Sequence, residues 1–270
     1  TTLFRSTNYS FDFQSGLIFF TSNLEDEVRV DLYSHDMESL VTRRLSGPGG
    51  AGLGTVSDFR LAPGGNKLVY RADPELTYFS QLYSVDTNGS NLVKLNHTEY
   101  YVYNSMIYSQ GVQSDYQITN TGRVIYRDGN HNRFADNEMR VQGVNLDGSL
   151  WGYVSAELTG GAARSAEGFS LSPDGLWAVA SLMWWENWYK QAFAFKTDGS
   201  TTSMSNRLHM VPPNAMARYD DMAGGGVSFS PDSTWVFTPV VYDSTIPSDM
   251  YRLYSTHLSV DPVNPILLGK

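Results

Sequence analysis

The chain has no cysteine among its 270 residues. A disulfide framework and a cysteine zinc site are therefore both excluded, while no compartment is. Charge is scarce as well: charged residues make up 17 % of the chain, against about a quarter in an average globular protein. Within that small set acids prevail, with 28 Asp and Glu against 19 Lys and Arg and a net charge of −9. Such a chain repels phosphate backbones, so nucleic acid is not an expected partner. Long apolar runs are lacking too. The longest covers residues 176–185 and has Ser181 inside it, about half of what a membrane-spanning helix needs, so the chain is not expected to span a membrane. The histidines His35, His97, His131, His209 and His257 are scattered, which argues against a histidine metal centre. There is no Gly-x-Ser-x-Gly elbow, no His-Glu-x-x-His pair and no phosphate loop, the signatures of three common hydrolytic and nucleotide chemistries. The chain starts at Thr1 rather than Met. That start predicts a processed product whose targeting segment has been removed.

What the chain has in abundance is aromatic side chains, 13 % of its residues, and a long repeat. Each copy reads as an apolar strand, a tight turn, a second apolar strand, a variable loop, a third strand, an Asp-Gly type turn and a closing apolar strand. The first turn recurs as Gln14-Ser-Gly16, Pro63-Gly-Gly65, Asn120-Thr-Gly122, Pro173-Asp-Gly175 and Pro231-Asp-Ser233, whose last residues lie 49, 57, 53 and 58 apart. The second turn recurs as His35-Asp36, Asp86-Thr-Asn-Gly89, Asp147-Gly148, Asp198-Gly199 and Asp261-Pro262. Asp-Gly and Asn-Gly supply the positive φ angles that tight hairpins require. Four short strands joined by hairpins form a small antiparallel sheet that cannot bury both faces alone. Stacking copies side by side solves this, and the predicted fold is an all-β propeller of five four-stranded antiparallel blades. The strands at 176–180 and 235–237 are apolar on both faces, as a blade sandwiched between neighbours demands. No linker interrupts the pattern, so a single propeller domain is expected over 1–270, with blades near 8–49, 54–97, 112–158, 165–208 and 224–270.

Ser172-Pro-Asp-Gly175 followed by an apolar strand, an aromatic third strand such as Leu82-Tyr-Ser-Val-Asp86 or Leu253-Tyr254, and then Asp198-Gly-Ser200 resembles the TolB-type propeller repeat. The resemblance covers all five copies. Repeats one and three depart from it, carrying Asp12-Phe-Gln-Ser15 and Ile118-Thr-Asn-Thr121 in place of Ser-Pro-Asp. Rings of this family are often six- or seven-bladed, so the resemblance implies either a five-bladed ring or part of a longer one with a sixth blade. It also implies a periplasmic or extracellular bacterial setting. Members include envelope scaffold proteins and the propeller portions of some serine peptidases; the fold does not fix the function.

With the first strand innermost, the two tight turns of every repeat fall on one rim. The long segments 72–79, 96–110, 127–138, 183–190, 209–224 and 242–249 fall on the other, and long loops on a rigid scaffold carry function more often than short ones. Four constellations lie there. Asp128-Gly-Asn130-His-Asn132-Arg-Phe-Ala-Asp136 places oxygen side chains at loop positions spaced as a calcium site needs, though Gly is missing at the sixth position and Met139 stands at the twelfth. Trp184, Trp185, Trp188 and Tyr189 form an aromatic cluster suited to a sugar ring or a protein hot spot. Tyr100, Tyr101, Tyr103 and Tyr108 form a second cluster in a crossover. Asp58 and Asp115 each lie seven residues before their turn and Glu167 lies eight before its own, an array that would serve a glycosidase as acid and base. The Asp residues would equally satisfy backbone donors at strand starts.

The expected function is non-catalytic: a binding or scaffold propeller of the bacterial envelope that docks a protein partner or envelope component on its loop-rich face. The alternative is a lectin or five-bladed glycosidase using the same aromatics, with Asp58, Asp115 and Glu167 as its acids. Calcium at Asp128, Asn130, Asn132 and Asp136 is the one cofactor the sequence points to.

Overall fold

The computed structural model describes residues 8–12, 15–24, 29–47, 55–73, 80–97, 101–103, 106–108, 111–130, 138–155, 163–184, 189–200, 227–241, 251–258 and 266–267. Every regular element among them is a β-strand. No helix among them is long and apolar enough to cross a membrane. The chain forms two compact units, residues 1–124 with 144–151 and residues 125–143 with 152–270, so the division passes through the third repeat.

The first repeat is a sheet of β1 (Tyr9–Asp12), β2 (Leu17–Ser22), β3 (Asp31–Asp36) and β4 (Thr42–Arg44) in sequence order. The second repeats that order with β5 (Val56–Leu61), β6 (Lys67–Ala72), β7 (Gln81–Asp86) and β8 (Val93–Lys94). A two-stranded hairpin, β9 (Tyr101–Tyr103) and β10 (Met106–Tyr108), and then β11 (Gly111–Val112) precede the third repeat. Its strands are β12 (Gln117–Ile118), β13 (Arg123–Asn130), β14 (Glu138–Asn145) and β15 (Gly152–Tyr153). In the second unit β16 (Ala163–Leu171), β17 (Trp177–Trp184) and β18 (Tyr189–Lys196) form the fourth repeat, and Arg207 and Leu208, where the repeat pattern puts a closing strand, lie outside the described residues. The fifth is a four-stranded sheet of β19 (Ser228–Phe229), β20 (Trp235–Val241), β21 (Tyr251–His257) and β22 (Ile266–Leu267). One departure from separate blades is a parallel bridge between Met139 of β14 and Ser165 of β16, which joins the third and fourth repeats into one sheet.

The turns form for the reasons their sequences give. Gly65, Gly122, Gly175 and Ser233 donate their backbone N–H to the carbonyls of Ala62, Thr119, Ser172 and Ser230 at 2.8–3.0 Å. All four have positive φ, from +60° at Ser233 to +79° at Gly122. Where a hydroxyl stands at the first turn position it accepts from the backbone N–H that opens the next strand. Ser172 takes Trp177 N at 2.9 Å, Ser230 takes Trp235 N at 2.9 Å and Thr119 takes Arg123 N at 3.0 Å.

The closing strand is held by a second recurring device. Leu45, Leu95 and Val154 donate to the carbonyls of Leu32, Leu82 and Val141, and all six of these side chains are buried. The next residue then supplies a side-chain acceptor for the N–H of the same third-strand position: Ser46 for Leu32 at 3.1 Å, Asn96 for Leu82 at 2.8 Å and Ser155 for Val141 at 3.1 Å. A buried N–H that the short outer strand leaves behind is thereby satisfied.

Packing runs between repeats. One core cluster joins Phe19, Leu32 and Leu45 of the first repeat to Phe59, Leu68, Tyr70 and Val85 of the second. Another joins Ile125, Val141 and Val154 of the third to Phe169, Ala178, Phe193 and Phe195 of the fourth. Leu68, Val69 and Tyr70 are consecutive and all buried, as are Ala178, Val179 and Ala180, so these strands are covered on both faces. Leu176, expected at the head of the latter strand, is instead exposed in the turn before it. Burying each such Leu or Phe stabilises by about 1.5–3 kcal/mol, and a single repeat in isolation would forfeit most of it.

The Asp-Gly turns set the spacing. A Cβ placed on Gly89 would lie 3.5 Å from Leu45 Cδ2 and 3.7 Å from the Arg44 carbonyl. On Gly148 it would lie 2.9 Å from Val93 Cγ1, and on Gly199 3.2 Å from the Tyr153 carbonyl. Each of these turns thus rests on the outermost strand of the preceding repeat.

Candidate functional site

The acids proposed from the sequence occupy three different local structures. Asp58 is on β5, where register places it opposite Arg71 of β6. Arg71 donates to Asp58 Oδ2 from Nε at 2.9 Å and from Nη2 at 2.5 Å. Its third donor, Nη1, reaches the Val112 carbonyl at 2.8 Å. The pair therefore ties β5, β6 and β11 together. Asp115 lies in the turn just before β12, half-buried, with its Oδ1 buried. Glu167 falls at a register shift of β16, between the pairs Ala166↔Leu182 and Gly168↔Ser181. It is the extra residue of a β-bulge. An identical shift in β5 makes Ser57 the extra residue there. Ser57 and Glu167 each precede their turn residue by eight, so the second and fourth repeats share the bulge, and the counterpart of Asp58 in the fourth repeat is Gly168. Bulges re-aim the chain and are frequent beside functional sites.

Tyr116 is fully buried next to this ion pair. Its hydroxyl donates to the Val69 carbonyl at 3.2 Å. The Arg60 guanidinium lies 4.6 Å from the ring centroid and donates to the Ser114 carbonyl at 3.2 Å. Burial, and then the Asp58 carboxylate, push the Tyr116 hydroxyl well above the ordinary phenol range. Arg60, Arg71 and Tyr116 were not singled out in the sequence. Arg71 was within reach of it: counting back and forward equally from the Gly65 turn pairs Leu61 with Leu68 and hence Asp58 with Arg71.

A fully buried carboxylate, Asp31, was not singled out in the sequence. Its side chain is 1 % exposed and lies between Arg29 Nε at 3.2 Å and Arg44 Nη2 at 3.0 Å, and Ser46 donates to it at 2.8 Å. Burial, then the neighbouring Tyr83 and then Asp31, raise the Tyr70 hydroxyl far above its usual range.

The oxygen-rich string at 128–136 is not one continuous loop. Asp128 and Asn130 belong to β13, and Asp128 is buried at 2 % exposure. Asn132 and Asp136 lie outside the described residues. Among the described residues no group of three or more His, Asp and Glu is placed to hold a metal ion.

The two described members of the tryptophan cluster lie on paired strands. Trp184 ends β17 and Tyr189 begins β18, and the two are direct register partners, as are Met183 and Lys190. Trp185 and Trp188 fall outside the described residues. Tyr101 and Tyr103 are on β9, opposite Tyr108 and Met106 of β10, and Tyr100 is outside the described residues.

No protein-family model matches the chain, and no curated protein matches it in sequence. Solved structures do. An oligogalacturonate lyase from Vibrio parahaemolyticus is similar at 13 % identity and a TM-score of 0.52, over 98 % of this chain and 66 % of that one. Oligopeptidase B from Leishmania major is similar at 11 % identity and 0.50, over 97 % of this chain and 33 % of that one. A putative TolB from Agrobacterium tumefaciens has 14 % identity and a TM-score of 0.44, over 99 % of this chain and 80 % of that one. The chain spans only part of each of these proteins. At such identities the likeness is one of fold: repeated four-stranded antiparallel sheets of the propeller type.

Proposed function

We propose that the chain is a non-catalytic binding propeller of five blades that docks a protein partner or envelope component on its loop-rich face, in the bacterial periplasm or outside the cell. The observation that carries this reading is the use made of Asp58. The carboxylate that a glycosidase would need at that position is joined to Arg71, and through Arg71 to the Val112 carbonyl. That geometry fits a residue that holds strands in register. The resemblance of the repeat to envelope scaffold proteins supports the same reading. So does the framework: cores shared between neighbouring repeats and side-chain clips at the outer strands of the first three fix the described strands, and a preorganised scaffold lowers the ordering cost of binding. Trp184, Trp185 and Trp188 are the proposed hot spots, because aromatic anchors dominate interface energetics.

The test has two arms. In the first, thermal unfolding is followed with a panel of glycans that includes oligogalacturonates, each with and without Ca²⁺. A ligand at 100 times its dissociation constant adds about 2.7 kcal/mol, a displacement of several degrees. In the second, the chain is cross-linked to solubilised bacterial envelope, alongside Trp184→Ala and Asp115→Asn. The expected result is no glycan shift, and a cross-linked protein that Trp184→Ala loses and Asp115→Asn retains. A glycan shift accompanied by product release that Asp115→Asn abolishes would replace this reading with the glycosidase one.

A further inference from the structure

The opposite rim of the first unit carries a surface that the scaffold role does not use. The turns between the third and fourth strands of its three repeats, at 36–41, 86–92 and 147–151, expose Met37, Leu40, Val41, Leu92, Leu150 and Trp151. These turns follow one another in space. The second rests on β4 of the first repeat and the third on β8 of the second, and Trp151 stacks obliquely on His97 at 4.8 Å. The three turns, each with its exposed apolar residues, therefore succeed one another along the outer strands of the unit as a row.

Two of them stand in a conformation that their side chains disfavour. Leu40 has φ +56° and Leu150 φ +52°, a region seldom occupied by residues other than Gly, Asn and Asp. Both are two residues before the outermost strand. Asn91 holds the same place in the second repeat at φ +52°, which shows the residue type the turn itself favours. Neither leucine is there for packing, since Leu40 is 71 % and Leu150 73 % exposed. A large apolar side chain that is both locally disfavoured and turned to solvent points to a contact made with something else.

The charge around the row selects the occupant. The three turns contain Asp36, Glu38, Asp86 and Asp147 and no Lys or Arg. Arg43 and Lys94 stand on the flanking strands, and Lys67 is taken up by Asp86 at 2.5 Å. Hydrogen bonds from Ser39 and the backbone at Asp36 and from Ser149 at Asp147 hold these two exposed carboxyls below their ordinary range, so the first and third turns stay anionic, while Lys67 offsets the charge of Asp86 in the second. We propose that this rim docks a cationic amphipathic segment of a partner protein, with its apolar face on Leu40 and Leu150 and its basic face on Asp36, Glu38 and Asp147. The proposal is independent of the loop-rich face.

Fluorescence anisotropy tests it, using the full chain and three labelled peptides: one of Lys and Leu in amphipathic order, one with Ser replacing Leu and one with Glu replacing Lys. The Lys/Leu peptide alone should bind. Leu40→Asn with Leu150→Asn should weaken it about tenfold, with an unfolding midpoint equal to or above that of the parent, because Asn suits both turns. Met37→Gln, outside the strained position, should weaken it in the same direction. Equal binding to the double variant, equal binding of the Lys/Ser peptide or no binding of the Lys/Leu peptide would overturn the proposal. So would sedimentation showing a dimer of the parent that the double variant loses, which would assign the row to a second copy of this chain.

Discussion

The seating of each Asp-Gly turn on the preceding repeat makes a graded prediction for alanine substitutions at three glycines. All three have positive φ: +68° at Gly16, +78° at Gly199 and +83° at Gly148. An L-residue there loses about 1–2 kcal/mol to backbone strain, offset by about 0.4–1 kcal/mol from a stiffer unfolded chain. The surroundings differ. A Cβ on Gly16 meets nothing within 4 Å, on Gly199 it meets the Tyr153 carbonyl at 3.2 Å, and on Gly148 it meets Val93 Cγ1 at 2.9 Å. Valine has no flexible end to move aside, so overpacking adds about 1–3 kcal/mol at Gly148. Gly16→Ala should thus destabilise by roughly 1 kcal/mol and Gly148→Ala by roughly 2–4 kcal/mol, with Gly199→Ala between them. Urea unfolding and scanning fluorimetry read the series, at about 2–4 °C per kcal/mol for a domain of this class. A double-mutant cycle with Val93→Ala isolates the contact: Gly148→Ala should be milder in that background by about 1–2 kcal/mol. If Gly148→Ala is no worse than Gly16→Ala, the turn is not seated on the strand and the account of how repeats are spaced fails.

The two ion pairs, one buried and one partly exposed, should separate by exposure. Asp31→Ala strands Arg44 in the interior and should destabilise by about 3–5 kcal/mol, whereas Asp58→Ala, at a carboxylate 26 % exposed, should fall nearer about 1–2 kcal/mol; chemical unfolding that ranks them in the reverse order would refute the assignment. The turn carboxylates make a pH prediction. Asp36, with bonds from Ser39 and the Glu38 backbone, and Asp147, with bonds from Ser149, have folded pKa values below their unfolded ones. Their contribution is complete above the unfolded value near 3.9 and is lost as pH falls through the lower folded values. The urea midpoint should therefore drop below about pH 4, and Asp36→Asn with Asp147→Asn, which retain an acceptor oxygen but no charge, should flatten that decline.

Most of the repeat was legible because it is punctuated by residues with one physical use. Gly65, Gly122 and Gly175 mark turns that need positive φ, and all adopt it. The closing pairs Leu45-Ser46, Leu95-Asn96 and Val154-Ser155 were visible only as apolar endings; the polar half of each pair acts through a bond to a residue about fourteen positions away, beyond the reach of local pattern. The bulges at Ser57 and Glu167 were illegible for a different reason. One extra residue leaves composition and alternation nearly unchanged and appears only in the register of two strands. Asp128-Gly-Asn130 read as loop because each residue favours turns, yet pairing with β14 carries β13 through all three. The candidate acids were therefore found as residue types, while their placement on a strand, in a turn and on a bulge depended on pairing.

The overlap of neighbouring repeats also has an order in time. Gly89 lies against the outer strand of the first repeat, Gly148 against that of the second and Gly199 against that of the third, always later residues on earlier ones. During synthesis the chain emerges from its N-terminus, so each sheet leaves the ribosome with its last strand uncovered and waits roughly fifty residues for the turn that will cap it. At about 5–20 residues per second that interval lasts a few seconds. The short outer strands β4 and β8, three and two residues long, keep the exposed edge small while it waits, and a nascent sheet of this kind offers little for a neighbouring chain to pair with.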